Sequence, residues 1–290
     1  MRSWYRRHGR TLPWRGESDP YRIILSEIML QQTQVSRVLV HYGRFLRRFP
    51  TMRSLAGAPR RDVILAWRGM GYNNRAVRLH ALATVLVERG MAIPRNAEEL
   101  LELPGVGRYT AHAILSSVHG LPVPIVDVNI RRLLSRVFWR IGTTGEMRSE
   151  AEIWRRAARI LPRRGVYDWN QSLMDMGATI CTARRPLCRA CPLGKICVSR
   201  ARMAQAPGTR RKGEPGFHGV PNRIYRGRIV EALRGEAEGR TAGALGKVLH
   251  PDFSPRDIPW LEKLIAGLER DGLVRVRRAS SLLRSRVVIA

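Results

Sequence analysis

All four cysteines of this chain lie between residues 181 and 197, in the pattern Cys181-x6-Cys188-x2-Cys191-x5-Cys197. No other feature constrains the fold as tightly, because one short loop must gather four thiols. The amino terminus, Met1-Arg2-Ser3-Trp4-Tyr5-Arg6-Arg7, lacks the apolar stretch of a signal peptide. No apolar run reaches the roughly 18–20 residues of a membrane span. The expected location is therefore cytoplasmic, with no membrane partner. Cysteines packed this closely inside a cell point to metal rather than disulfides. Zinc is more often held by two Cys-x2-Cys knuckles. Uneven single spacings that wrap one loop round a compact object suit a [4Fe-4S] cubane on four thiolates, which is preferred here over zinc. An incidental grouping of cysteines is the plain alternative.

The formal charge of +29 points to a polyanion, and nucleic acid is the first candidate. The basic residues are unusual in kind. Only Lys195, Lys212, Lys247 and Lys263 are lysines; the other 48 are arginines. A genomic base-composition habit would explain the bias equally well, but nothing before Lys195 can form a lysine Schiff base. Arg184, Arg185, Arg189, Lys195 and Arg200 make the cysteine loop cationic. With no other redox equipment in view, the loop reads as a structural and DNA-contacting device; a redox sensor is a weaker reading.

Helical periodicity dominates residues 1–205. Helices are predicted over 21–30, 35–49, 61–68, 75–89, 97–102, 109–118, 128–139, 149–161 and 169–180, with short Gly- and Pro-punctuated connections and no alternating segment long enough for a sheet. The expected class is all-α, with the cluster loop at 181–197. A Gly-, Pro- and charge-rich linker is expected at 206–222. Residues 223–290 read as a small winged-helix-like α+β domain, with helices near 225–234, 241–249 and 258–271 and alternating strands at 272–278 and 286–289.

Leu103-Pro104-Gly105-Val106-Gly107 joins two of these helices. Gly105 and Gly107 leave backbone N–H groups at a helix start open to a phosphate, as in a helix-hairpin-helix that grips DNA without reading sequence. A Gly-x-Gly turn alone is common between helices; its flanks, Leu-Pro before and Arg-Tyr-Thr after, make it specific.

That hairpin, Val126-Asp127-Val128-Asn129 and the cysteine loop together resemble the helix-hairpin-helix base-excision DNA glycosylases. Leu12-Pro13-Trp14-Arg15, Ser26-Glu27-Ile28-Met29-Leu30-Gln31-Gln32-Thr33 and Gly69-Met70-Gly71-Tyr72 look like the MutY-type adenine glycosylases, in order from Trp4 to Cys197. The resemblance implies two helical domains with the active site between them, a [4Fe-4S] cluster, and a monomer acting on double-stranded DNA that holds a mispaired or damaged base. Two departures stand out. The tail is short and winged-helix-like where such enzymes usually carry a Nudix-like domain for 8-oxoguanine. The asparagines in Gly71-Tyr72-Asn73-Asn74 and in Val128-Asn129, with Tyr109, are reminiscent of thymine/uracil mismatch glycosylases, although some adenine glycosylases also have this tyrosine.

Glycosidic cleavage needs a proton for the departing base and a negative charge beside an oxocarbenium-like sugar. Glu27 alone would read as an ordinary helix carboxylate; the resemblance makes it the general acid, protonating the purine at N7 and later helping to activate water. Asp127 reads as a helix N-cap, where N–H donors and the macrodipole favour an ionised carboxylate. That is what a sugar cation requires. Tyr109 stands where bifunctional relatives carry a Schiff-base lysine, so base removal without strand cleavage is expected. It is expected to hydrogen-bond near Asp127 and the sugar. By resemblance Gln32 wedges into the stack, Tyr72 inserts on the opposite strand, Trp14 and Arg15 line the base pocket, and Gln31 and Thr33 flank the wedge. His80, His112 and His119 have no metal-like spacing. The expected reaction is removal of adenine opposite guanine or 8-oxoguanine. Thymine or uracil excision at G mismatches, or a non-catalytic winged-helix protein that uses the glycosylase fold as a clamp, are the rival readings.

Overall fold

The computed structural model describes residues 1–140, 148–204, 214 and 216–290. The chain forms two compact units, neither continuous in sequence. The first comprises Met1–Ile23, Pro94–Glu102 and Val106–Lys212; the second comprises Ile24–Ile93, Leu103–Gly105 and Gly213–Ala290. No described helix is long and apolar enough to cross a membrane.

In the first unit the helices Val128–Phe138, Glu150–Arg159 and Val166–Asp175 enclose a core of Ile130, Leu133, Leu134, Ile153, Trp154 and Leu173. Each starts for a legible reason. Asp127 and Ser149 accept hydrogen bonds from the backbone three residues on, and Gly165 takes the left-handed conformation (φ 68°) that a side chain would resist. The predicted helix over 169–180 is in fact two pieces, an α-helix to Asp175 and a π-turn at Met176–Ile180. A Cβ on Gly177 would stand 2.8 Å from Asn129 Cβ, so this turn packs where only glycine fits. Sequence periodicity passed over Arg2–His8 and Arg200–Ala204, which are too short to show it.

The second unit carries Val35–Arg48, Met52–Ala56, Arg60–Ala66 and Asn74–Glu88, with Phe45, Leu55, Trp67 and Leu79 fully buried. It also carries the tail, for which a separate domain was expected. Helices Asn222–Leu233, Ala242–Leu249 and Ile258–Arg270 precede Val274–Arg277 and Arg286–Ile289, which pair antiparallel. A third short strand, Arg240–Thr241, lies on the other side of Arg286–Ile289. Ile64 belongs to the same apolar core as Ile229, Leu245, Leu261 and Val287. Arg234 Nη1 donates to the Ile64 and Leu65 carbonyls at 2.6 and 2.9 Å, capping the end of Arg60–Ala66. Most of the expected linker lies outside the described residues. Its last part is ordered: Gly216–Phe217 pairs with Val220–Pro221, and Phe217 stacks on Trp260 at 4.0 Å.

Candidate active site

Glu27 lies in the second unit on the helix Pro20–Leu30, and is 7% exposed beside fully buried Leu25 and Met29. The helix ends in the Gln31-Gln32-Thr33 turn, where Gln32 is exposed and left-handed (φ 54°). Tyr72 is also exposed and left-handed (φ 44°), between Gly71 (φ 69°) and the helix Asn74–Glu88. A left-handed backbone costs an ordinary residue roughly 1–2 kcal/mol. These are the two residues that the family resemblance implies enter the DNA stack.

Beneath both turns sits Arg75, 4% exposed. Its Nη1 donates to the carbonyls of Ile28 (3.0 Å), Met29 (2.7 Å) and Gln31 (2.6 Å). Nη2 donates to Thr33 Oγ1 (2.9 Å) and to the carbonyls of Met70 (3.3 Å) and Gly71 (3.0 Å), and Nε to that of Tyr72 (3.4 Å). The guanidinium also stands over the rings of Trp67 and Tyr72, at 5.3 and 5.7 Å. No described carboxylate pairs with it, and burial pushes its pKa down to about 10, so it stays charged at neutral pH. Sequence reading missed this residue. The available signal was a cation in the first turn of a helix, where the macrodipole disfavours one.

The hairpin follows its predicted form. Gly105 is left-handed (φ 78°), a Cβ there would stand 2.9 Å from Arg78 Cβ, and its carbonyl accepts from Gln31 Nε2 at 3.4 Å. Gly107 is extended, caps Arg108–Ser117 without a side-chain bond, and faces open space.

Tyr109 and Asp127 lie in the first unit, Tyr109 in the first turn of Arg108–Ser117. Asp127 is the N-cap foreseen: Oδ1 accepts from Ile130 N at 2.6 Å, and Oδ2 from Asn129 Nδ2 at 2.7 Å. Burial nevertheless outweighs these donors and pushes its carboxyl above the ordinary range. The cap is present, and the carboxylate it holds is also partly shielded from water. Arg132 continues the chain, donating to Asn129 Oδ1 (3.1 Å), Gly177 O (2.6 Å) and Cys181 O (2.8 Å). Asp127 is thus tied to the cysteine loop through two side chains absent from the expected site.

Trp14 is 8% exposed. Arg15 is held in a bidentate pair with Asp175, at 2.6 and 2.8 Å, and Asp175 also accepts from Arg10 N (2.9 Å) and Nε (2.7 Å). The Asp175 side chain is fully buried. The fork of Arg15 is therefore occupied by a carboxylate of its own unit, a partner 160 residues away in sequence.

The four free cysteines line one pocket with Leu133, Ile180, Leu187 and Arg200. Arg136 binds the loop through the Thr182 and Ala183 carbonyls (2.7 and 3.0 Å) and lies 3.5 Å from Cys181 Sγ. Burial pushes the thiols of Cys188, Cys191 and Cys197 up, so each is harder to ionise than an exposed thiol. Among the described residues no three Cys, His, Asp or Glu converge closely enough for a single metal ion.

Residues 25–159 match the model of the helix-hairpin-helix superfamily of base-excision DNA repair proteins. The chain is 37% identical over 270 residues to an adenine DNA glycosylase of Mycobacterium tuberculosis, covering 91% of this chain and 86% of that one. So long a match extends into the tail. The human adenine DNA glycosylase is 39% identical over 213 residues, 70% of this chain but 39% of its own length. A thermostable thymine-DNA glycosylase structure superposes with a TM-score of 0.62 at 30% identity, covering 69% of this chain and 93% of that one. The chain belongs to the MutY-type adenine DNA glycosylase family of helix-hairpin-helix base-excision repair proteins.

Proposed function

We propose that this protein is an adenine DNA glycosylase of base excision repair, hydrolysing the N-glycosidic bond of adenine mispaired with guanine or 8-oxoguanine in duplex DNA. The observation that carries this reading is the 37% identity to an adenine DNA glycosylase across 91% of the chain. The thymine-DNA glycosylase likeness spans less of the chain at lower identity, and makes thymine or uracil excision the second reading.

Glu27 is the general acid, delivering a proton to the purine at N7 and then helping to orient water. It is 7% exposed on the helix Pro20–Leu30, so water reaches little of the carboxyl. Asp127 stabilises the sugar cation. A carboxylate kept partly from water gains more from a cation formed beside it than a hydrated one does, because protein dipoles already hold it in place. Tyr109 orients the sugar, and the absence of lysine before Lys195 supports base removal without a lysine Schiff base or strand cleavage. Gln32 and Tyr72 open the stack from their exposed turns, Trp14 borders the extruded base, and Arg15 acts by fixing that segment through Asp175.

Cys181, Cys188, Cys191 and Cys197 would hold a [4Fe-4S] cluster, supplying a rigid cross-link to a cationic loop. The tail is a winged-helix-like element, read from three helices followed by a hairpin, and it adds basic surface for the duplex. The protein acts as a monomer.

Excision from A:8-oxoguanine, A:G, T:G and U:G duplexes tests the reading. Adenine release from the first two is expected, abolished in Glu27→Gln with binding retained. Thymine or uracil release alone, or undiminished excision by Glu27→Gln, would overturn substrate or mechanism respectively. Borohydride treatment should trap no adduct.

A further inference from the structure

Two exposed turns carry Gln32 and Tyr72 in left-handed backbone, and one buried side chain holds the carbonyls of both. We propose that Arg75 is a positioning residue that couples these turns, so that the two wedges enter the duplex as one device. The inference rests on the reading that Gln32 and Tyr72 enter the DNA stack. No direct hydrogen bond is needed between the wedges themselves. The guanidinium takes three carbonyls at the end of Pro20–Leu30 and three at the Met70-Gly71-Tyr72 turn, and stands over the Tyr72 ring. Its planar fork is what allows this, since five donors point in fixed directions. A lysine ammonium has three donors at one point and cannot span both groups. Neutral acceptors also leave the charge of Arg75 uncompensated directly under the two turns, where a phosphate backbone would approach. Displacing one wedge moves the guanidinium, and so moves the other.

The test is a mutant cycle on the full-length protein, read by unstacking of a 2-aminopurine placed beside an A:G mismatch at saturating protein. In the wild-type background Gln32→Ala and Tyr72→Ala should be strongly non-additive, each alone removing nearly all the signal that the double variant removes, a coupling of roughly tenfold. In an Arg75→Lys background the two effects should become additive. A fold defect lowers every signal by the folded fraction and leaves additivity unchanged, so it cannot mimic this result. If Arg75→Lys yields no folded protein, Thr33→Val removes one acceptor of Nη2 and should weaken the coupling in the same direction. Additive wedges in the wild type, or a cycle that Arg75→Lys and Thr33→Val leave unchanged, would overturn the proposal. Excision is followed in the same samples. Unstacking without excision removes the glycosylase reading and leaves the coupling; no unstacking by the wild type removes both.

Discussion

Two arginines hold the two units' functional segments, and they do so by opposite electrostatics. Arg15 in the first unit is paired with fully buried Asp175, whose hydrogen bonds and charge outweigh desolvation and raise its pKa. Arg75 in the second unit has only carbonyls, one hydroxyl and two rings, and its pKa is pushed down to about 10. An ion pair fixes a segment and cancels its charge. A carbonyl-bound guanidinium fixes a segment and keeps its charge. The first arrangement suits a wall, and the second suits a surface that must meet DNA.

The contrast breaks most visibly if one partner is removed from each anchor. Asp175→Asn leaves Arg10 and Arg15 facing a neutral group and should cost about 3–5 kcal/mol in urea denaturation. Arg75→Met removes the buried cation together with its desolvation penalty, so it should cost less, about 1–3 kcal/mol for the carbonyls left unpaired. Equal losses would mean that the two anchors do not differ in kind.

Acid sharpens the comparison further. Burial alone would raise the Asp175 carboxyl, but the donors of Arg15 and Arg10 outweigh it and hold the group below its ordinary value. Its folded pKa being depressed, its contribution is complete above the unfolded value near 3.8 and is lost as pH falls through the folded one. Unfolding midpoints of the wild type and Asp175→Asn should therefore draw together as pH falls from about 4 and meet only below the depressed folded value. The gap between wild type and Arg75→Met should stay constant from pH 3 to 8, since the guanidinium does not titrate in that range. The smallest effect is expected from Arg15→Lys, which keeps the charge and loses one of two parallel bonds, on the order of 1 kcal/mol.

What was legible in the sequence was local. The left-handed Gly105 turn and the Asp127 cap involve neighbours within a few residues, and both are seen in the structure; the four cysteines line one pocket. The helix at Asn74–Glu88 was predicted within one residue of its observed ends. What was not legible depends on distant partners. Arg75 reaches acceptors more than 40 residues upstream, and Arg15 reaches one 160 residues downstream. Local sequence marks Arg75 only as a cation in the first turn of a helix and Arg15 only through its motif; neither signal names the partner that holds it. The shift of Asp127 was not foreseen because a cap can be read from its neighbours, whereas burial cannot.

The Arg234 cap on Ile64 and Leu65, and the place of Ile64 in the tail's core, bear on the order in which the chain can fold during synthesis. Helix Arg60–Ala66 leaves the ribosome about 170 residues before the side chain that caps its end, and earlier still than Val287, which completes the surrounding core. Until then the apolar face around Ile64 is open to other chains. A nascent protein stalled after residue 212 would contain every residue of the first unit, whereas the second would still lack Gly213–Ala290. Chaperone dependence of this protein should track the late arrival of its tail rather than the assembly of its cysteine loop.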